Sequence, residues 1–351
     1  MKPTYTGAEL DHRTMPTAVD ARLPRRPGAS RDRWLLPLAL LTIYLVWGST
    51  YLGIAVAIET IPPFLMSAVR FILAGLLLLG WARISERGAF AMPTRRQWRD
   101  AFIVGGLLFG VGNGFVGWGE QTVASGIAAL LIALVAVWLA VFSRLLHGDR
   151  LPRVVGIGIA VGIAGVGLLV WPLGDGPLRL EPFGVAALIV APMGWANGSI
   201  FSARRADLPA SPLVATASQM FAGGVVLALE SGVTGELGRL HAAVSIESIV
   251  ALVYLLIFGS LVAFSAYAWL LRHAPLPLIG TYAFVNPVVA VGLGAIVLAE
   301  PITPRMLGAA AVIVVGVAVV ILGRSRLSIS PARDVRAEPP SPLREPASDV
   351  A

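Results

Sequence analysis

Residues 269–300 read WLLRHAPLPLIGTYAFVNPVVAVGLGAIVLAE and form the most informative apolar segment of the chain. The centre of this segment, Tyr282 to Pro287, places a phenol hydroxyl, an amide and a proline among residues otherwise suited to lipid. Polar side chains at that depth are costly unless they face a protein cavity. An internal proline also frees a backbone carbonyl, which another group has to satisfy. The segment therefore predicts a membrane helix that faces a polar cavity.

The composition of the whole chain is that of a polytopic membrane protein. Hydrophobic residues make up 56% of the 351 residues and charged residues only 13%, and the mean hydropathy is +0.79. These values are typical of chains with several membrane-spanning helices. The sequence has no cysteine, which excludes disulfides and thiolate metal sites.

Ten apolar segments of roughly twenty residues are each long enough to cross a bilayer as a helix. They lie between two polar, proline-rich tails, residues 1–34 and 328–351, which we predict to be disordered. The predicted spans are 35–57, 63–82, 100–119, 123–143, 153–172, 182–203, 212–230, 248–271, 277–298 and 304–323.

The basic residues predict the orientation of these spans. If the loops alternate between the two sides of the membrane, 23 of the 27 lysine and arginine residues fall on the side of both tails. Cytoplasmic loops carry such an excess, so we expect both termini in the cytoplasm. The net charge of +7 is then a signal of topology, and we expect no nucleic-acid partner.

The chain also contains an internal repeat. A shift of 151 residues aligns Trp118 with Trp269 and Asp149 with Glu300, and a shift of 148 aligns Trp47 with Trp195. The predicted repeats, 35–172 and 182–323, hold five spans each, so the second copy enters the membrane from the opposite side. Inverted repeats of this kind are common in secondary transporters, whose substrate site lies between the halves near the midplane.

At these residues the sequence resembles the EamA-type inner-membrane exporters of the drug/metabolite transporter superfamily, over about residues 35–323. The resemblance implies ten helices, cytoplasmic termini and efflux of amino acids, metabolites or toxic compounds. The family usually has a proline in span four, where this chain has Ala136, so we expect that span to be straighter than span nine. The matching strings are Trp47–Tyr51, Val69–Phe71, Gly112–Gly114 with Glu120, Ser125–Ala129, Gly194–Ser199, Phe258–Ser260 and Tyr282–Ala290.

Tyr282, Asn286 and Pro287 are the first candidates for a site. Tyr282 and Asn286 are four residues apart and share one face of a helix. They would offer a hydroxyl and an amide to a substrate, while Pro287 is a candidate for gating. The alternative is that Asn286 only holds two helices together by a hydrogen bond.

Two tryptophans near the middle of their spans suggest a second set of substrate-binding residues. Tryptophan usually anchors a helix at the membrane surface, so Trp47 and Trp195 at mid-span favour a cavity lining, with anchoring as the alternative. The full predicted substrate-binding set is Trp47, Ser49, Tyr51, Asn113, Trp195, Asn197, Tyr282 and Asn286.

Arg70 and Glu120 are candidates for coupling or gating. Arg70 lies inside span two, where its side chain either extends to the membrane surface or pairs with Glu120 at the end of span three. Glu120 is also the predicted protonation site, because no other acid was placed near the interior of the bundle.

We therefore predict a secondary active exporter of small molecules that works by alternating access, with protons as a candidate co-substrate. We expect no catalytic activity, cofactor or metal, because no cluster of suitable ligands is evident. The alternatives are a passive facilitator or exchanger on the same fold and a membrane scaffold. A homodimer remains open.

Overall fold

The computed structural model describes residues 31–86, 90–149, 151–171, 181–239, 243–274 and 276–328, and these residues form an all-helical bundle. Ten principal helices follow one another in the described residues. They are α1 Arg31–Ala57, α2 Pro63–Ser85, α3 Arg95–Gly119, α4 Ser125–His147, α5 Arg153–Val170, α6 Pro182–Arg204, α7 Pro212–Val233, α8 Ile246–Leu270, α9 Tyr282–Val297 and α10 Pro304–Ser328.

The predicted fold class is confirmed. Within the described residues, nine of these helices are long and apolar enough to cross a membrane, and α9 is the shorter tenth. Most of the predicted tails lies outside the described residues. Two short parts of the predicted disordered tails are described, and both are helical: residues 31–34 belong to α1, and Ser328 is the last residue of α10.

The two halves of the bundle pack as counterparts. Helix α2 packs against α7 and α5 against α10, and in each pair the two helices occupy the same place in their own half. Glycines allow the close approach: a Cβ on Gly75 would lie 2.6 Å from the backbone nitrogen of Phe221, and a Cβ on Gly224 would lie 2.6 Å from that of Ile72. Small residues at helix contacts are the usual means of packing in a bilayer, where hydrophobic burial does not drive helices together.

Helices α3 and α8 also correspond, since each contains a π-helical stretch, at Gly106–Gly114 and Leu255–Val262. Such stretches are rare and often occur at functional sites. These two stretches were not predicted from the sequence.

The absence of a proline from span four does not make that helix continuous. Helix α4 is interrupted at Ala133–Leu134, where the backbone nitrogen of Leu134 donates to the carbonyl of Leu131 in a tighter turn. Helix α9 instead continues through Pro287 and begins late, at Tyr282. A separate short helix, Leu276–Ile279, precedes α9, and a turn at Gly280–Thr281 lies between the two.

Candidate functional site

A cavity of about 110 Å³ lies between the two halves of the bundle. Helices α1, α3 and α4 of the first half and α6, α8 and α9 of the second half contribute to its wall. None of the lining residues that the structure describes is charged. The lining residues are Trp47, Thr50, Tyr51, Ile54, Gly112, Asn113, Val116, Ile132, Val135, Ala191, Pro192, Trp195, Phe264, Tyr282 and Asn286.

Trp47 is at the centre of an aromatic cluster on one side of the cavity. Its ring centroid lies 5.3 Å from that of Phe264 and 5.2 Å from those of Tyr267 and Tyr282. Aromatic pairs prefer such separations. The indole nitrogen donates to the carbonyl of Gly259 in the π-helical stretch of α8 (3.3 Å). Trp47 therefore lies inside the bundle, and its role as a membrane-surface anchor is wrong.

Asn286 lies in the cavity wall and also makes the helix-to-helix hydrogen bond considered as its alternative role. The side chain is buried and lines the cavity. In the amide orientation that satisfies its surroundings, its nitrogen donates to the carbonyl of Tyr282 (3.1 Å) and to that of Tyr44 in α1 (3.3 Å). Asn286 thus links α9 to α1 while remaining part of the cavity wall.

The structure places six of the eight predicted substrate-binding residues at the cavity: Trp47, Tyr51, Asn113, Trp195, Tyr282 and Asn286. The other two, Ser49 and Asn197, are not among the lining residues. The hydroxyl of Ser49 bonds to that of Tyr254 (2.5 Å), and the amide of Asn197 donates to the Met193 carbonyl of its own helix (3.0 Å). Pro287 is buried in α9 and is also absent from the cavity wall.

Both structural expectations for Arg70 are wrong. The side chain is only 3% exposed and does not extend to the membrane surface. Its Nε donates to the Ser260 hydroxyl of α8 at 2.9 Å, and no pair with Glu120 is found among the described residues. The contact instead connects α2 of the first half to α8 of the second half.

Glu120 lies in that turn as a buried acid without a partner. Both of its carboxylate oxygens are buried and have no hydrogen-bond partner in the described part of the chain. Burial, and to a smaller extent the charge of Glu300, raises the pKa of Glu120 well above 4.5. A carboxyl group in this setting favours its protonated form.

Glu120 is not the sole acid near the interior, contrary to the sequence-based expectation. Glu230, near the end of α7, has a buried oxygen without a partner in the described residues. Its other oxygen lies 3.2 Å from the position of a Cβ on Gly110, in the π-helical stretch of α3. Asp100 is buried in α3 and accepts from the backbone nitrogen of Asp207 (2.8 Å). The predicted set of interior acids was therefore too small.

Two further glutamates connect the halves at one end of the bundle. Glu236, which follows α7, accepts from the backbone nitrogens of Phe64 (3.3 Å) and Leu65 (2.8 Å) at the start of α2. Glu300, which follows α9, accepts from those of Ser125 (2.7 Å) and Gly126 (3.1 Å) at the start of α4. Each carboxylate of the second half therefore caps a helix of the first half, where free N–H groups and the helix dipole favour a negative charge.

Replacing Glu236 by alanine is expected to destabilise the bundle by about 2 kcal/mol, because buried N–H groups of α2 lose a charged acceptor. Chemical denaturation of the detergent-purified protein measures this change in the free energy of unfolding. Glu59→Ala is the matched control, since Glu59 is an exposed turn glutamate and surface changes usually stay within about 0.5 kcal/mol. Equal stabilities of the two variants would contradict a capping role.

Comparison with known families agrees with this architecture. The model of the EamA-like transporter family matches residues 34–171 and again residues 182–322. The two matches correspond to helices α1–α5 and α6–α10 and cover most of the chain.

Individual relatives give the same picture. The inner membrane transporter YedA of Escherichia coli K12 is 40% identical over 297 residues, which are 84% of this chain and 94% of that protein. A probable amino-acid metabolite efflux pump of Salmonella typhimurium is 24% identical and covers 82% of this chain and 94% of its own. One solved crystal structure has a TM-score of 0.58 at 23% identity, covering 84% of this chain and 99% of that chain. At that identity, the last likeness concerns the fold alone.

Proposed function

The chain belongs to the EamA-like transporter family, and we propose that it is a secondary active exporter of small metabolites, amino acids or toxic compounds across the inner membrane. The observation that carries the proposal is the cavity between the halves, whose wall takes residues from helices of both. A site shared by two inverted halves opens to opposite sides as one half moves against the other. The family membership also makes the chain a membrane transporter, not an enzyme.

The cavity wall supports an uncharged, partly aromatic contact surface for the substrate. Trp47, Tyr51, Trp195 and Tyr282 supply aromatic faces, and Asn113 and Asn286 supply amides. Such a wall suits a small molecule with an apolar body and a few polar groups. The similarity to the Salmonella protein, a probable amino-acid metabolite efflux pump, supports the same range of substrates. The name of YedA supports placement in the inner membrane, and the distribution of basic residues supports cytoplasmic termini.

Protons are the proposed coupling ion, with Glu120 as the carrier. Its two buried oxygens have no hydrogen-bond partner among the described residues. The charge of Glu300, which itself caps α4, acts on Glu120. A proton gained or lost at Glu120 would therefore change the electrostatic environment of the α4 cap.

Glu120→Gln is expected to remove a pH dependence of stability. The pKa of Glu120 is raised in the folded protein above its ordinary value of 4.5. Its protonation therefore contributes stability that is fully present below about pH 4.5 and is lost as pH rises through the folded-state pKa. The Tm of the wild type, relative to that of Glu120→Gln, should thus fall with rising pH. Tm measurements from about pH 5 to about pH 8 test this, with the exposed Glu59→Gln as control. The coupling role is lost if Glu120→Gln and the wild type show the same pH dependence of flux.

A flux assay in proteoliposomes tests the proposed function itself. Cells that overexpress the protein are first screened for resistance to a panel of amino acids and toxic compounds, and the selected compound is then used in vesicles. An imposed proton gradient should drive its accumulation, and a protonophore should abolish that accumulation. If the flux is the same with and without the protonophore, the protein is a facilitator or exchanger on the same fold. If no flux is measured, it is a scaffold.

A further inference from the structure

The strongest feature outside the cavity wall is the buried guanidinium of Arg70. A guanidinium has five N–H donors, and the structure gives this one a single hydrogen bond, from Nε to the Ser260 hydroxyl. Its other neighbour of note is the ring of Phe71, 4.7 Å from the guanidinium carbon. No carboxylate pairs with Arg70 among the described residues. A buried cation without an anion is costly, so this position calls for a negative charge supplied from elsewhere.

Arg70 is separated from the cavity by a residue without a side chain. The Nη2 of Arg70 lies 2.9 Å from the position that a Cβ on Gly259 would occupy. The methyl group of Thr50, which lines the cavity, lies 3.0 Å from the same position. The carbonyl of Gly259 accepts from the indole of Trp47, also in the cavity wall. The guanidinium therefore lies directly behind the wall and is packed closely against Gly259 and Thr50, where even a Cβ would be crowded.

The local backbone is also unusual. Gly259 and Ser260 both belong to the π-helical stretch of α8, in which the regular hydrogen-bond pattern of an α-helix is replaced. On the α1 side, the hydroxyl of Thr50 donates to the carbonyl of Trp47 (2.6 Å). A group from the cavity reaches the N–H donors of Arg70 when Thr50 of α1 and Gly259 of α8 move apart, as a shift of one half against the other would allow.

We propose that Arg70 binds the carboxylate of a substrate whose apolar or aromatic body occupies the cavity. The inference rests on the proposed transport function and narrows its substrate class to small organic acids, including amino acids. The wall itself has no charge, so Arg70 supplies the counter-charge, and its planar fork suits a carboxylate. Neutral amides of the same shape leave the guanidinium unpaired and bind more weakly.

Binding measurements with matched acids and amides test the proposal. The purified full-length protein is titrated with 3-phenylpropionate and 3-phenylpropionamide, and with 4-methylpentanoate and its amide. The wild type should bind at least one acid about thirtyfold more tightly than its amide, which is the scale of a buried charged hydrogen bond. Arg70→Gln should remove this difference. Arg70→Lys should retain a part of it, because lysine keeps the charge but not the fork.

Two controls separate the outcomes. Arg96→Gln changes an arginine whose side chain is 71% exposed and should leave the acid preference intact. Gly259→Ala adds a methyl group against the guanidinium and should weaken acid binding, even if Arg70→Gln does not fold. The proposal is overturned if the wild type binds no acid more tightly than its amide, or if the preference persists in Arg70→Gln. An acid preference without flux of those acids in vesicles would instead overturn the transport function and leave the binding site in place.

Discussion

Gly224→Ala is expected to prevent recovery of the folded protein. The added Cβ would lie 2.6 Å from the backbone nitrogen of Ile72 and 3.1 Å from the carbonyl carbon of Phe71, both in α2. Backbone atoms in the middle of a helix cannot rotate away as a side chain can, so α2 and α7 must separate. Overpacking of this kind costs about 3 kcal/mol, and small-residue contacts are a principal source of helix association in a bilayer.

The matched control lies in the same helix. A Cβ on Gly232 of α7 would meet no atom within 4 Å, so Gly232→Ala should leave the yield and the Tm unchanged or slightly raised, since alanine favours the helix. Size-exclusion chromatography of detergent extracts measures the yield of monodisperse protein. Equal yields from the two variants would show that α2 and α7 do not pack as closely as described.

The spans were predictable because lipid imposes a strong constraint on the sequence. A segment such as Pro63–Ser85 has to be long and apolar to cross a bilayer, and both properties are visible without a structure. The inverted arrangement was predictable from the odd number of spans, five, in each repeat, and the repeat itself from matches such as Trp47 with Trp195. The helix contacts agree with that arrangement, since α2 faces α7 and α5 faces α10.

Two errors in the predicted site have a reason that is visible in the sequence. Residues two apart on a helix point to nearly opposite sides, whereas residues four apart share a face. Trp47 and Tyr51 are four apart and both line the cavity, whereas Ser49 lies between them and faces Tyr254. Asn197 stands in the same relation to Trp195. Helical spacing alone therefore predicts that Ser49 and Asn197 lie on a different face from the cavity-lining residues.

Other features depend on contacts that no single sequence reveals. The environment of Arg70 is set by Ser260 of another helix, and the capping by Glu236 is set by the position of α2 against α7. The π-helical stretches leave no simple signal in composition. The interruption of α4 at Ala133–Leu134 likewise could not be predicted, because the helix contains no proline, and nothing in the structure explains it.

The second large effect is expected at Asn113 and uses the absence of native cysteine. In a chain without cysteine, a thiol reagent modifies only an introduced residue. Asn113 lines the cavity from the π-helical stretch of α3, so a charged adduct at Asn113→Cys should occupy the space of the substrate. We expect flux to fall at least about tenfold after modification. The covalently bound adduct fills the space of the substrate, and its charge is unfavourable in the uncharged cavity.

Asn197→Cys provides a matched control. Asn113 and Asn197 are both half-buried asparagines whose amides donate to a carbonyl of their own helix, Leu108 and Met193 respectively. The difference relevant here is that Asn113 lines the cavity and Asn197 does not. Modification of Asn197→Cys should therefore leave flux close to that of the unmodified variant.

The central claim is that the cavity between the halves is the transport site, and the flux of modified Asn113→Cys tests it most directly. The variant is labelled in detergent with a sulfonate-bearing methanethiosulfonate reagent, checked by mass spectrometry and reconstituted into proteoliposomes. Flux of the compound selected by the resistance screen should be lost after labelling and restored when a reducing agent removes the adduct. Undiminished flux through fully labelled Asn113→Cys would contradict the claim.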